Sequence, residues 1–298
     1  MQKHFIGDNM NEIYLSIIKS ISSDPEYITS PRGMNIKENI NVSMTLLNPK
    51  QCLTTFAKRK LNYAFAAIEK LEYLSGNTDP ARLAFYNSNF STYSNKYGNF
   101  DGAYADRLKY WYRHIVNLLK IDPDTRQAVI NIYGREDRHE SKDIPCTLTM
   151  QFLIRDNKVH MNVNMRSNDV LWGLPYDTNG FCFILEGIAS MLGLEMGTYT
   201  LNAGSLHIYT EREEQLTDLL ENNETEDIAN PVMTFTTHNE LQHDLNKFWL
   251  LEEELRNGTN SNDIRMHDDM LESLPEWLQE YYHIAKEYII SKKTNKLF

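Results

Sequence analysis

Cysteine is scarce in this chain: Cys52, Cys146 and Cys182 are the three among 298 residues. So few, and an odd number, exclude a disulfide framework and fit a reducing compartment. There is no CxxC pair, and the histidines of "HNELQH" lack the i, i+4 spacing of a zinc helix, so no metal is expected. The Gly-rich loops that cradle nucleotide phosphates are also missing. No apolar run approaches the roughly eighteen residues of a membrane span, and "MQKHFIGDNMNEIY" lacks the apolar stretch of a signal peptide. Positive charge is short too, with 30 Lys and Arg against 41 Asp and Glu and a net charge of -11. Nucleic-acid polymers and anionic membranes are therefore poor partners, and a bound phosphate would need a local Arg cluster. Together these absences point to a soluble cytoplasmic protein.

The 41% hydrophobic content is enough for a substantial core. Residues 8–21 carry Met10, Ile13, Tyr14, Ile17, Ile18 and Ile21 at helical spacing behind Asp8, a candidate cap. Alternation in "INVSMTLLNP" predicts a strand. A helix is expected from about Lys58 to Leu74, with Leu61, Phe65, Ile68, Leu71 and Tyr73 inward and Gly76 as its stop. Residues 77–108, rich in Asn, Ser, Tyr and Gly, read as a loop that lines a site, and a helix follows over Arg107–Leu119. Strands are predicted in "QAVINIY", "CTLTMQFLIR" and "KVHMNVNM", with "RDNK" as a hairpin turn. "GFCFILEGIASMLGL" is apolar nearly all round and predicts a buried helix, "GTYTLNAGSLHIYT" a strand, and the remainder mainly acidic helix. No repeat or linker divides the chain. The expectation is one α/β (α+β) domain over 1–298, a large mixed, mostly antiparallel sheet flanked by helices, with 210–298 as an acidic helix-rich extension.

Several residues stand out for chemistry. Cys146, between Pro145 and Thr147, is either an inert core thiol or a nucleophile whose thiolate Arg166 favours if the two strands pair across "RDNK". Arg166, Ser167, Asn168 and Asp169 are a solvated loop or an anion site, to which Arg32 and Arg126 would converge. Asp177 precedes a buried helix, where a cap or first-turn role competes with a chemical one. His207 and Tyr209 share a strand face as wall or binding residues.

Taken in order, "PRG", "AIEKLEYLSG", "YGNFDGAY", "DTRQ", "PC" leading into "QFLIRDNK", "NMRSNDVLWGLPYD" and "GSLHIY" resemble the thymidylate synthase superfamily from about Ser30 to Tyr209. The resemblance implies the thymidylate synthase fold and a homodimer packed through its sheets. It implies one-carbon transfer from 5,10-methylenetetrahydrofolate to C5 of a pyrimidine nucleotide, with Cys146 adding to C6 and Glu69 organising water and proton transfers. Arg32, Arg166 and Ser167 would hold the 5'-phosphate, with Arg126 reaching over from the other subunit. His207 and Tyr209 would bind the sugar 3'-hydroxyl, Asp169 the pterin, and Tyr97 would lie close to the nucleophile.

Departures from the synthase pattern narrow the reading. Synthases carry Asn where this chain has Asp177, and Asn reads uracil by donating to O4 and accepting from N3–H. A carboxylate accepts from the cytosine N4–H and shares a proton with N3, and it repels uracil O4. Thr147 after the nucleophile and the run Val163–Val170 are similar to the phage deoxycytidylate hydroxymethylase branch, in which water captures the C5 methylene that a synthase reduces. The ending "SKKTNKLF" lacks a short hydrophobic closing tail, and "AFYNSNFSTYS" lacks a shielding Trp. Gln127 replaces the second Arg of the family's Arg-Arg pair. The resemblance thus implies 5-hydroxymethyl-dCMP from dCMP and methylenetetrahydrofolate, in a host cytoplasm if the source is viral. A dUMP hydroxymethylase or thymidylate synthase, a CMP hydroxymethylase and a non-catalytic nucleotide-binding homologue are the alternatives.

Overall fold

The computed structural model describes residues 3–294 except 78–79, 96, 99, 136, 138–140, 142, 229, 235–236 and 259–263. Strand β1 (His4–Gly7) leads into helix α1 (Met10–Ser23), and the six apolar residues expected on one face are those buried. The cap is Asn9, not Asp8: its side chain accepts from the Glu12 N–H at 3.0 Å. A short β2 (Tyr27–Thr29) precedes β3 (Ile36–Leu46), whose Val42, Met44 and Leu46 point to the core.

Helix α2 (Tyr63–Ser75) starts later than its periodicity suggests. Lys60 takes a left-handed backbone (φ 49°), which breaks the helix, and Asn62 then caps it by accepting from Phe65 N–H. Gly76 ends it in the left-handed region, as expected. Part of the predicted 77–108 loop is helical: α3 (Pro80–Tyr86), a 3-10 segment over Ser88–Tyr93, and α4 (Tyr104–Leu108). Helix α5 (Trp111–Ile121) completes this region.

Next come β4 (Val129–Asn131), β5 (Thr147–Arg155), β6 (Lys158–Met165) and the two-residue β7 (Asn168–Asp169). Positive φ at both Asp156 and Asn157 gives the tight turn that "RDNK" predicts between β5 and β6. Helix α6 (Gly173–Leu192) begins well before the apolar run that announces it, so Asp177 lies inside the helix and not at its cap. It is followed by β8 (Glu195–Tyr209), α7 (Glu213–Glu221), α8 (His238–Asn257), α9 (Ile264–Glu272) and α10 (Glu276–Thr294).

The strands form one mixed sheet in the order β1-β3-β8-β6-β5-β4, with β2 beside β3 and β7 beside β8. Pairing is antiparallel for β3 with β8 and β5 with β6, and parallel for β6 with β8. Alternate residues such as Met150, Phe152, Met161, Val163, Tyr199 and Leu201 enter the core with α1, α2, α5 and α6. Their neighbours on the other face, including Gln151, Asn162, Thr200 and Asn202, keep part of their surface accessible. Among the described residues no helix is long and apolar enough to cross a membrane. The chain's last four residues, on which the expectation about the ending "SKKTNKLF" partly rests, lie outside the described ones.

The carboxyl-terminal helices are fastened behind α2 by buried charges. Arg82 donates to Glu72 at 2.8 Å, lies 3.5 Å from Glu252 and stacks over Trp249 at 4.1 Å. Glu252 also accepts from Tyr86 Oη (3.0 Å) and Arg256 Nε (2.8 Å). Arg82→Met would leave two carboxylates side by side without this cation. It is expected to lower stability by about 3–5 kcal/mol in urea unfolding, and a loss below about 1 kcal/mol would show that the network does not hold the helices.

Candidate active site

Strand pairing assembles the site. Thr147 of β5 lies opposite Met165 of β6, which sets Cys146 beside Arg166 as the hairpin reading requires. Arg166 N–H donates to the Cys146 carbonyl at 2.8 Å, and its guanidinium reaches the Pro145 and Ile144 carbonyls at 3.0 and 2.9 Å. Those contacts use two N–H donors and leave the others for an anion. Burial pushes the Cys146 thiol up, and Asp177 and Asp143 add to this; Arg166 and Arg32 pull the other way. In the free enzyme the sulfur therefore stays a thiol despite its arginine neighbour.

Arg32 sits exposed in a Pro31–Gly33 turn with a left-handed φ of 54°, and its charge acts on Cys146, His207 and Tyr209. Ser167 follows Arg166 on the same loop. Asp169 accepts backbone N–H donors from Leu171 (3.1 Å), Trp172 (2.7 Å) and Gly173 (3.1 Å), capping the start of α6. A carboxylate has about four acceptor positions, so one remains for a ligand N–H. β7 pairs Asp169 with His207. His207 is buried with no hydrogen-bond partner for Nδ1 among the described residues, and burial, followed by Arg32, pushes its imidazole toward the neutral form against the pull of Asp169, Glu38 and the Ser205 backbone. Its ring meets Tyr209 edge to face at 5.1 Å.

Two helices complete the centre. Glu69 is buried on α2, and Asp177, on α6, keeps some accessible surface. Burial raises the Glu69 carboxyl well above its ordinary range, with the Asp177 charge adding to it. Asp177 is raised to about 7 by burial and by Asp169, against a hydrogen bond from Asn168.

One expected member stands apart, and Arg126, assigned to the other subunit's site, lies elsewhere. Tyr97 is 75% exposed, and the tyrosine beside the nucleophile is Tyr104: its Oη accepts from Thr147 N (3.2 Å) and Thr147 Oγ1 (3.0 Å), and its phenol is pushed up by burial, then Asp177 and Cys146. "YGNFDGAY" contains both tyrosines, and the structure turns Tyr104, not Tyr97, toward Thr147. The signal for Tyr104 was its place at the start of α4, where its ring is drawn inward. Arg126 is exposed near the sheet edge, its carbonyl accepting from Gln151 at 3.0 Å, and the cluster around Cys146 does not include it. Tyr93, absent from the sequence reading, does belong: burial and then Cys146 raise its phenol, and it remains 48% exposed at the mouth.

A half-buried thiol with Arg166, Asp177 and Arg32 acting on it is a setting for covalent catalysis on an anionic substrate. The family model described as Thymidylate synthase matches residues 12–267, and the chain belongs to that family. It is 32% identical, over 96% of its length and 82% of the relative's, to a deoxyuridylate hydroxymethyltransferase of Bacillus phage SP01. A deoxyuridylate hydroxymethyltransferase of Pseudomonas phage M6 is 31% identical over 57% of this chain and 51% of that one. These likenesses place it in the hydroxymethylase branch.

The raised Asp177 carboxyl makes a stability prediction. Its extra proton affinity supports the fold fully below about pH 3.8 and is lost as pH rises through about 7. Asp177→Asn cannot ionise, so its melting temperature relative to the unchanged protein is expected to rise between about pH 5 and pH 8. A constant difference in thermal melts across that range would show that Asp177 does not titrate in it.

Proposed function

We propose that the chain forms 5-hydroxymethyl-dCMP from dCMP and 5,10-methylenetetrahydrofolate as a homodimer. Cys146 adds to C6, which makes C5 nucleophilic toward the one-carbon unit. Glu69 supplies the proton that lets folate leave, and water then takes the C5 methylene. Arg32, Arg166 and Ser167 hold the 5'-phosphate, joined by Arg126 of the partner subunit. His207, through its unpartnered Nδ1, and Tyr209 bind the sugar 3'-hydroxyl. Asp169 keeps an acceptor position for a pterin N–H, and Trp172 and Tyr93, 47% and 48% exposed, offer the flat walls a pterin needs. The part-exposed polar sheet face, with Gln151, Asn162, Thr200 and Asn202, supports packing of two copies through their sheets.

The observation that carries the base is Asp177, a carboxyl where the family's uracil reader is an amide. Ionised, it accepts from cytosine N4–H and repels uracil O4. A second reading, dUMP, is favoured by the names of both phage relatives and by the raised Asp177 carboxyl. A neutral acid donates to O4 and accepts from N3–H as an amide does, and it pairs equally well with cytosine.

Mass spectrometry after offering dCMP, dUMP and CMP in competition, with methylenetetrahydrofolate alone, separates these readings. Hydroxymethyl-dCMP is expected, together with a shift of at least about ten-fold toward dUMP in Asp177→Asn, from roughly 1–3 kcal/mol per mispaired polar group. Hydroxymethyl-dUMP with base choice unmoved by Asp177→Asn would overturn the cytosine assignment, and a methyl product would overturn water capture. Cys146→Ala is expected to abolish loss of the C5 hydrogen while leaving nucleotide binding.

A further inference from the structure

A third polar group belongs to the acid pair. Tyr73 follows Glu69 by one turn of α2, and Gly180 follows Asp177 by one turn of α6, so each shares a helix face with one carboxyl. At Gly180 an added Cβ would lie 2.4 Å from Tyr73 Cε2. The phenol is therefore laid directly on the α6 backbone, and only glycine leaves it room. Tyr73 and Tyr104 pack with ring centres 5.7 Å apart, both against Phe181 at 6.2 and 6.1 Å. Nothing about a mid-helix tyrosine at an apolar position reveals this role; its spacing reads as core.

An orphaned hydroxyl lies close to these rings. Tyr112 Oη is buried with no hydrogen-bond partner among the described residues, and it acts electrostatically on Tyr73. An unpaired buried hydroxyl costs about 1–3 kcal/mol, and an ordered water needs roughly two to four polar partners. Tyr73, Tyr104 and Tyr112 with Glu69 and Asp177 provide that number. Burial and then the Glu69 and Asp177 charges hold the Tyr73 phenol well above its ordinary range, so it remains a donor.

We propose that Tyr73 is a positioning residue that holds, with Glu69, the water that adds to the C5 methylene. This rests on the hydroxymethyl reading above. The water oxygen bonds to the methylene carbon as the C5=CH2 pair moves toward C4, and its proton passes to Glu69, which has already given its own to the departing folate. The pair then returns to re-form C5=C6, the C6–S bond breaks, and Cys146 leaves as thiolate.

The test uses the full chain and the C5-tritiated substrate nucleotide, comparing tritium released with hydroxymethyl nucleotide formed. For the unchanged enzyme one product per tritium is expected; tritium release with another product would sink the hydroxymethyl reading itself. In Tyr73→Phe, followed through a single turnover with enzyme in excess, the ratio of product to tritium at early times is expected to fall at least about ten-fold, with the methylene adduct on Cys146 accumulating in intact-protein mass spectra. An unchanged ratio in Tyr73→Phe overturns the proposal, since a packing role alone slows both readouts together. Should that variant fail to bind nucleotide, Tyr112→Phe decides: a lowered ratio supports the shared water, and an unchanged one overturns it.

Discussion

Two carboxyls from different helices sit in one desolvated space, and the site depends on keeping them there. The charge of Asp177 on α6 raises the proton affinity of Glu69 on α2 beyond what burial does alone, and Asp169 does the same to Asp177. Two like charges in a low-dielectric pocket repel strongly, so the pair relaxes by holding protons. The cost is a local preference for moving the helices apart, which the surroundings must oppose.

They do so from three sides. Asn62 caps α2, and its own backbone N–H donates to Tyr176 Oη of α6 at 3.1 Å, which ties the start of one helix to the other. Two residues past Asp177, Asn179 donates to the Ala66 carbonyl at 3.2 Å and accepts from Lys70 at 3.4 Å. Behind α2, α8 and α10 supply Glu252, Arg256 and Tyr281, and the Lys70 ammonium lies 4.6 Å from the Tyr281 ring centre. The whole of α2 from Ala64 to Leu74 is buried, including Lys70 and Glu72, and these two find their partners inside the protein: Asn179 and Asn230 for Lys70, Asn77 and Arg82 for Glu72. The carboxyl-terminal helices thus act as a backing plate for α2.

Much of this was legible where a physical signal is local. The six-residue stripe of α1, the Gly76 stop and the Asp156–Asn157 turn depend on neighbours in sequence, and each is where the pattern puts it. The strands around Cys146 and Arg166 were legible for the same reason, and with them the heart of the site. Boundaries set by a backbone twist at Lys60 or by the capping carboxylate of Asp169 were not, because neither leaves a periodic trace. The short β1 and β2 have too few residues to show alternation. Tyr104 and Tyr73 were missed for a different reason: whether a buried tyrosine presents its ring or its hydroxyl depends on what the facing helix leaves open, and that is tertiary information.

The proton inventory links the site to its chemistry. With the Cys146 thiol, Glu69 and Asp177 all pushed up, these three groups favour their protonated forms, while Arg166 and Arg32 bring positive charge to bear on Cys146. A nucleotide phosphate matches that charge, but by neutralising Arg32 and Arg166 it also removes the two influences that favour thiolate. On the proposed reading, sulfur therefore attacks C6 most readily where the cytosine ring gains a proton or hydrogen bond at N3 as the S–C6 bond forms. Asp177 is the group placed to give one, its carboxyl poised near neutrality. Base recognition and activation of the nucleophile then become one event: a ring that does not engage Asp177 also leaves Cys146 protonated and unreactive.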